Sequence, residues 1–150
     1  MIIKDRLPIL ISETMKAGNK MKLEALRAVK TAYMNWETAK ENVGKTITDA
    51  VEITTTIALL HDVVEDTSIT LADLAKQFPD EVIEALALLT HEKNEDYFEY
   101  VKRIKSNPYA KAVKLADLMH NSDITRLEVI DEKAQQRVAK YQRAIKLLSE

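Results

Sequence analysis

Ile57-Ala58-Leu59-Leu60-His61-Asp62-Val63-Val64-Glu65-Asp66 decides how this chain is read. Placed on a helix at about 100° per residue, His61, Asp62, Glu65 and Asp66 fall within an arc of about 140°. Ile57, Leu59, Leu60, Val63 and Val64 take the opposite side. The stretch therefore predicts a helix with an apolar back and a front of one histidine and three acids. Thr48 or Asp49 can cap it upstream. Thr54-Thr55-Thr56 just before it is the one run with β character, but helical flanks outweigh a few tenths of a kcal/mol per β-branched residue.

Outward from this helix the rest of the chain also has helical periodicity. Leu7, Leu10, Ile11 and Thr14 form one amphipathic stretch, which Gly18-Asn19 ends. Leu23, Leu26, Ala28, Val29, Ala32, Tyr33 and Trp36 form the next, ending near Asn42-Val43-Gly44. Thr70 caps a short helix up to Phe78, and Pro79 opens another to about Leu89. Further helices are expected over about Asp96–Lys105, Pro108–His120 and Asp131–Leu148. The expectation is an all-α fold, a compact orthogonal bundle of about seven or eight helices in one domain over residues 1–150.

Composition narrows the chemistry. At 150 residues, 46% hydrophobic and 31% charged, the balance is that of a globular domain. No apolar run reaches the roughly 18 residues of a membrane span, so a cytoplasmic location is expected. The sequence has no cysteine, which excludes disulfides, thiolate metal sites and cysteine nucleophiles. Its two glycines, Gly18 and Gly44, cannot build a phosphate-cradling loop or a serine nucleophile elbow. Phosphate handling would fall to side chains or a metal. Residues 1–50 carry a net +3 and residues 51–150 a net −5. That positive excess is slight beside a nucleic-acid footprint, so a nucleic-acid partner is not expected.

Three acids so close together repel one another unless a cation sits among them. A second element, Lys114-Leu115-Ala116-Asp117-Leu118-Met119-His120-Asn121, puts Asp117 and Asn121 on one helix face with Val113, Leu115 and Leu118 available for the core. An acid in a largely apolar helix is costly to bury unless paired or metal-bound. Alone, Asp117 reads as a salt-bridge partner of a nearby lysine; with His61 and Asp62 it could supply a further oxygen ligand. Such a nitrogen and oxygen mixture suits manganese, iron or magnesium. His91 and His120 read as structural polar groups, Tyr33 and Trp36 as core, and Lys102, Arg103 and Lys105 as a solvated basic face. Tyr97, Tyr100 and Tyr109 fit either packing or a site.

Ala58-Leu59-Leu60-His61-Asp62-Val63-Val64-Glu65-Asp66-Thr67 and Lys114-Leu115-Ala116-Asp117 through His120-Asn121 resemble, in order and spacing, the two motifs of the HD-domain pyrophosphohydrolases that cleave the alarmone (p)ppGpp. The intervening Leu88-Leu89-Thr90-His91 also fits, and the likeness runs from about Ile57 to the end. It implies that His61, Asp62 and Asp117 are ligands to manganese or another divalent ion. It also implies that Glu65 and Asp66 orient and deprotonate water, and that Asn121 contacts the nucleotide. The products would be GDP or GTP and pyrophosphate. The pattern departs at one place: the family's further histidine, about two dozen residues upstream in a Tyr-Ile-x-His-Pro context, is replaced by Tyr33-Met34-Asn35-Trp36. That loss implies weaker metal binding, a preference for hard ions and a site that can stand empty.

Residues 1 to about 52 resemble instead the small helical GatB/YqeY domain, related to the tail of an amidotransferase subunit that acts on charged tRNA. Ile3 to Leu7, Met15 to Lys20, Leu23 to Arg27 and Lys45 to Ala50 carry that likeness. These first helices are expected to pack on a 53–150 core of HD type. The alternative to a hydrolase is a non-catalytic HD scaffold or an amidotransferase-associated helper.

Overall fold

The computed structural model describes residues 3–44 and 48–150, without the side chain of Trp36. The core role expected for Trp36, and the Lys45-Thr46-Ile47 part of the second resemblance, lie outside the described residues. The fold is all-α, with eight α-helices and no strand among the described residues. They are α1 (Ile3–Lys16), α2 (Lys20–Thr38), α3 (Asp49–Asp66), α4 (Leu71–Ala75), α5 (Asp80–Leu89), α6 (Tyr97–Ile104), α7 (Pro108–Asn121) and α8 (Glu132–Ser149). Two short 3-10 turns, Lys40–Asn42 and Ile124–Arg126, were not expected from the periodicity.

Polar residues at the helix starts set most boundaries. Asn19, Thr48, Asp96, Asn107 and Asp131 stand just before α2, α3, α6, α7 and α8, and each accepts a hydrogen bond from a first-turn backbone N–H of its helix. Thr70 and Asp73 form a reciprocal capping box on α4. Gly18, at φ 71°, takes the left-handed conformation that closes α1, where a side chain would be strained. Thr54 and Thr56 do not break α3, because their hydroxyls donate to the carbonyls of Ala50 (2.7 Å) and Glu52 (2.8 Å).

The chain divides into two compact units, residues 1–90 and 91–150. In the first, α1 and α2 pack on each other and on α3, and α3 and α4 pack on α5. Leu7, Leu26, Val29, Ile57, Leu60 and Leu86 are buried there. Each such side chain contributes about 1.5–3 kcal/mol by leaving water. Tyr33 joins this core as expected; its hydroxyl donates to the Glu52 carbonyl at 3.0 Å and meets the Thr56 hydroxyl. Burial pushes its phenol far up. In the second unit α6, α7 and α8 pack pairwise around Tyr100, Val101, Ile104, Val113, Leu118 and Leu148. No helix among the described residues is long and apolar enough to cross a membrane.

Candidate functional site

Helix α3 continues to Asp66, so His61, Asp62, Glu65 and Asp66 all stand on its last turns rather than in a loop. Ile57 and Leu60 are buried behind them, while Asp62, Glu65 and Asp66 are exposed. His61 lies between these faces, its side chain 18% exposed. Its Nδ1 is 2.8 Å from the Ala58 carbonyl oxygen. That oxygen can only accept, so Nδ1–H is the donor and the ring is oriented by its own preceding turn. Nε2 in turn faces Oδ1 of Asp62 at 3.1 Å. At that distance the two atoms share a proton as a hydrogen-bonded pair. The backbone bond at Nδ1 fixes the direction in which the imidazole faces.

On α7, Asp117 sits in a half-buried position above Val113 and Leu118, which are buried. Asn121 Nδ2 donates to its Oδ1 at 2.7 Å, and Lys114 Nζ donates to its Oδ2 at 3.2 Å. The ammonium of Lys114, with a side chain 15% exposed, also lies 5.5 Å from the centre of the Tyr100 ring. The i, i+3 and i, i+4 spacings that put Asn121 beside Asp117 thus also bring Lys114 to the same carboxylate.

Asn121 opens onto a cleft of about 220 Å³ lined by His120, Asp123, Arg126, Leu127, Arg137 and Tyr141. Arg126 Nη1 donates to Nδ1 of His120 at 2.8 Å and to its carbonyl at 3.2 Å. His120 is therefore a hydrogen-bond acceptor through Nδ1, a structural polar group. Asp123 is turned to Thr125, whose hydroxyl and backbone N–H hold its carboxyl below the usual range. Two guanidinium groups against this single carboxylate make the cleft suited to an anion. Arg126, Arg137 and Tyr141 went unread in sequence. The available signal was Arg137 and Tyr141 four apart on one face of the last helix.

The remaining candidates serve structure. His91 Nε2 donates to the Glu95 carbonyl at 3.0 Å, and its ring rests 4.8 Å from Tyr100. Arg103 grips Glu95 through two bonds of 3.0 and 2.9 Å, which lowers the Glu95 carboxyl and raises the guanidinium. Lys102 pairs with Glu99 at 2.6 Å. Among the described residues no group of three or more His, Cys, Asp or Glu side chains is arranged to hold a metal ion. His61, Asp62, Glu65 and Asp66 belong to the first unit, Asp117 and Asn121 to the second. No protein-family model matches the chain, and no curated protein is significantly similar to it.

Proposed function

We propose that the protein is a divalent-metal-dependent phosphohydrolase of the HD type, acting in the cytoplasm on a guanosine 3′-pyrophosphate such as (p)ppGpp. The supporting observation is the His61 pair: with Nδ1 bonded to the Ala58 carbonyl, Nε2 faces Asp62 Oδ1 at 3.1 Å. By the resemblance, His61, Asp62 and Asp117 would hold manganese or a similar ion, whose Lewis acidity would make water a better nucleophile. Glu65 and Asp66, exposed on the same turns, orient that water and take its proton. Water's oxygen ends on pyrophosphate, and the ribose 3′-oxygen leaves with a proton. Asn121 contacts the nucleotide, and Arg126 and Arg137 line the adjoining cleft where phosphate charge would be met.

The test is pyrophosphate release from ppGpp by pure protein with manganese, compared with Glu65→Ala. Release by the wild type that falls about 100-fold or more in the variant supports general base catalysis. Equal rates in the two proteins reject it.

Two observations favour a second reading, a non-catalytic HD scaffold or amidotransferase-associated helper. Both Asp117 oxygens already have partners in Lys114 and Asn121. In addition, exposed Asn35 stands in the region where the resemblance calls for a histidine. No pyrophosphate release at any manganese concentration would select this reading.

A further inference from the structure

We propose that His120 is the positioning residue for Arg126 in the cleft beside Asn121: a neutral His120 holds the guanidinium back, and a protonated one releases it to a phosphate-like anion. That an anion enters the cleft rests on the phosphohydrolase reading; the held guanidinium does not.

His120 stands in the last turn of α7, and Arg126 ends the short 3-10 turn that follows. Both are exposed, and both line the cleft of about 220 Å³. Arg126 Nη1 carries two hydrogens and makes two bonds, both to His120: 2.8 Å to Nδ1 and 3.2 Å to the carbonyl oxygen. A guanidinium has no lone pair to offer, so Nδ1 can only be the acceptor. The ring in this arrangement is therefore neutral, with its proton on Nε2. The fork between Nη1 and Nη2, with which an arginine grips two oxygens of a phosphate, is closed.

Protonation undoes this arrangement. An imidazolium has an N–H on both nitrogens and a positive charge, so its Nδ1 cannot accept from Arg126 and repels it. Histidine exchanges that proton between about pH 5 and 8, a range in which arginine stays charged.

The surrounding groups decide which state prevails. Arg126 itself and Arg137 from α8 oppose a third positive charge in the cleft, and Tyr141 from α8 brings a phenol. Asp123, at the head of the 3-10 turn, favours the charge, but its carboxylate is already bonded by the Thr125 hydroxyl and N–H. Asp117, one turn earlier on α7, is held by Lys114 and Asn121. A dianion in the cleft tips this balance, because it draws Arg126 off the ring and stabilises the imidazolium. Proton uptake by His120 and anion binding therefore strengthen each other by the same factor.

The experiment uses the full chain without metal, and sulfate as the probe, a phosphate-like dianion whose charge is constant between about pH 5.5 and 8. Sulfate is titrated at both ends of that range in wild type and in His120→Asn, following the amide signals of Asn121 and Arg126. The asparagine Oδ1 accepts from Arg126 as Nδ1 does, but it does not titrate. With three histidines in the chain, the ring signal lost in the variant is that of His120. The wild type is expected to bind sulfate about fivefold or more tightly at the lower pH, the effect of one added unit charge near the surface. Sulfate is also expected to move the titration midpoint of the His120 ring upward. His120→Asn is expected to bind equally at both pH values. Equal affinity at both pH values in the wild type, or the same pH ratio in the two proteins, overturns the proposal and leaves an anion cleft without proton control. If no sulfate binds at either pH, this role and the anion reading of the cleft fall together. If the pH ratio is found but no pyrophosphate is released from ppGpp, the role stands and only the substrate reading fails.

Discussion

The backbone N–H of Lys4 donates to the Glu52 carboxylate, 48 residues away in the chain. Lys4 lies in the first turn of α1, whose N–H groups have no partner within their own helix. Glu52 is 2% exposed, in the first turns of α3, where the helix dipole favours negative charge. One buried acid thus caps another helix, while its carbonyl takes the Tyr33 hydroxyl. Glu52→Ala should destabilise the protein by about 1–3 kcal/mol, because Lys4 N–H loses its acceptor. Glu52→Gln, which keeps an acceptor oxygen, should cost less. Urea unfolding of the two variants measures the difference, and equal losses would show that the charge rather than the bond matters.

The capping box of α4 should carry a pH signature. Asp73 is lowered from 3.8 to about 2, first by the Thr70 hydroxyl, then by the Thr70 backbone N–H and Lys76. A depressed acid contributes its stabilisation above its unfolded value and loses it as pH falls through the folded one. The start of α4 should therefore loosen between about pH 4 and pH 2. Amide chemical shifts of Thr70 and Asp73 followed through that window test this, and Thr70→Ala should move the midpoint upward.

Lys114 and a metal ion would compete for Asp117. Lys114→Met removes a fixed positive charge 3.2 Å from Oδ2. If the carboxylate is a ligand, Mn²⁺ should bind about fivefold more tightly, a change of ~1 kcal/mol for one unit charge near the surface. Calorimetry of Mn²⁺ binding decides the point; unchanged or weaker binding would mean that Asp117 is a salt-bridge partner and no ligand.

Manganese should also raise the melting temperature. An ion that binds only the folded chain, present at about ten times its Kd, stabilises it by ~1.4 kcal/mol, or about 3–6 °C for a chain of this size. Asp117→Ala should abolish the rise. If His61, Asp62 and Asp117 bind the ion as proposed, with no further histidine, millimolar manganese is the range in which to look. A melting curve indifferent to manganese in both proteins would leave the motifs without a metal function.

The helices were legible because their signals are local. Asn19, Thr48, Thr70 and Asp131 cap the helices that start beside them, and Gly18 closes α1. Reading the three threonines as helix also held, since the Thr54 and Thr56 hydroxyls need only their own preceding turn. The Lys40–Asn42 and Ile124–Arg126 turns escaped because a single turn has no periodicity to detect. The placing of His61, Asp62, Glu65 and Asp66 on one face came from helix geometry alone. Spacing could not give the bonds from Lys114 and Asn121 to Asp117 or the bond from Lys4 to Glu52. Those depend on rotamers and on elements distant in sequence.

The last turn of α3 contains no basic residue and ends in Glu65 and Asp66, at the helix terminus where the carbonyls already point outward. Side-chain and backbone charge there have the same sign, an arrangement that disfavours the helical form of that turn by ~0.3–1 kcal/mol per acid at low salt. The segment is accordingly a spring held closed by the packing of Ile57 and Leu60 one turn earlier. Dissolved salt, a polyamine or any positive group placed at its tip would wind it tighter, whatever chemistry takes place there. Ionic strength thus acts on this helix as a control over how far its final turn is wound.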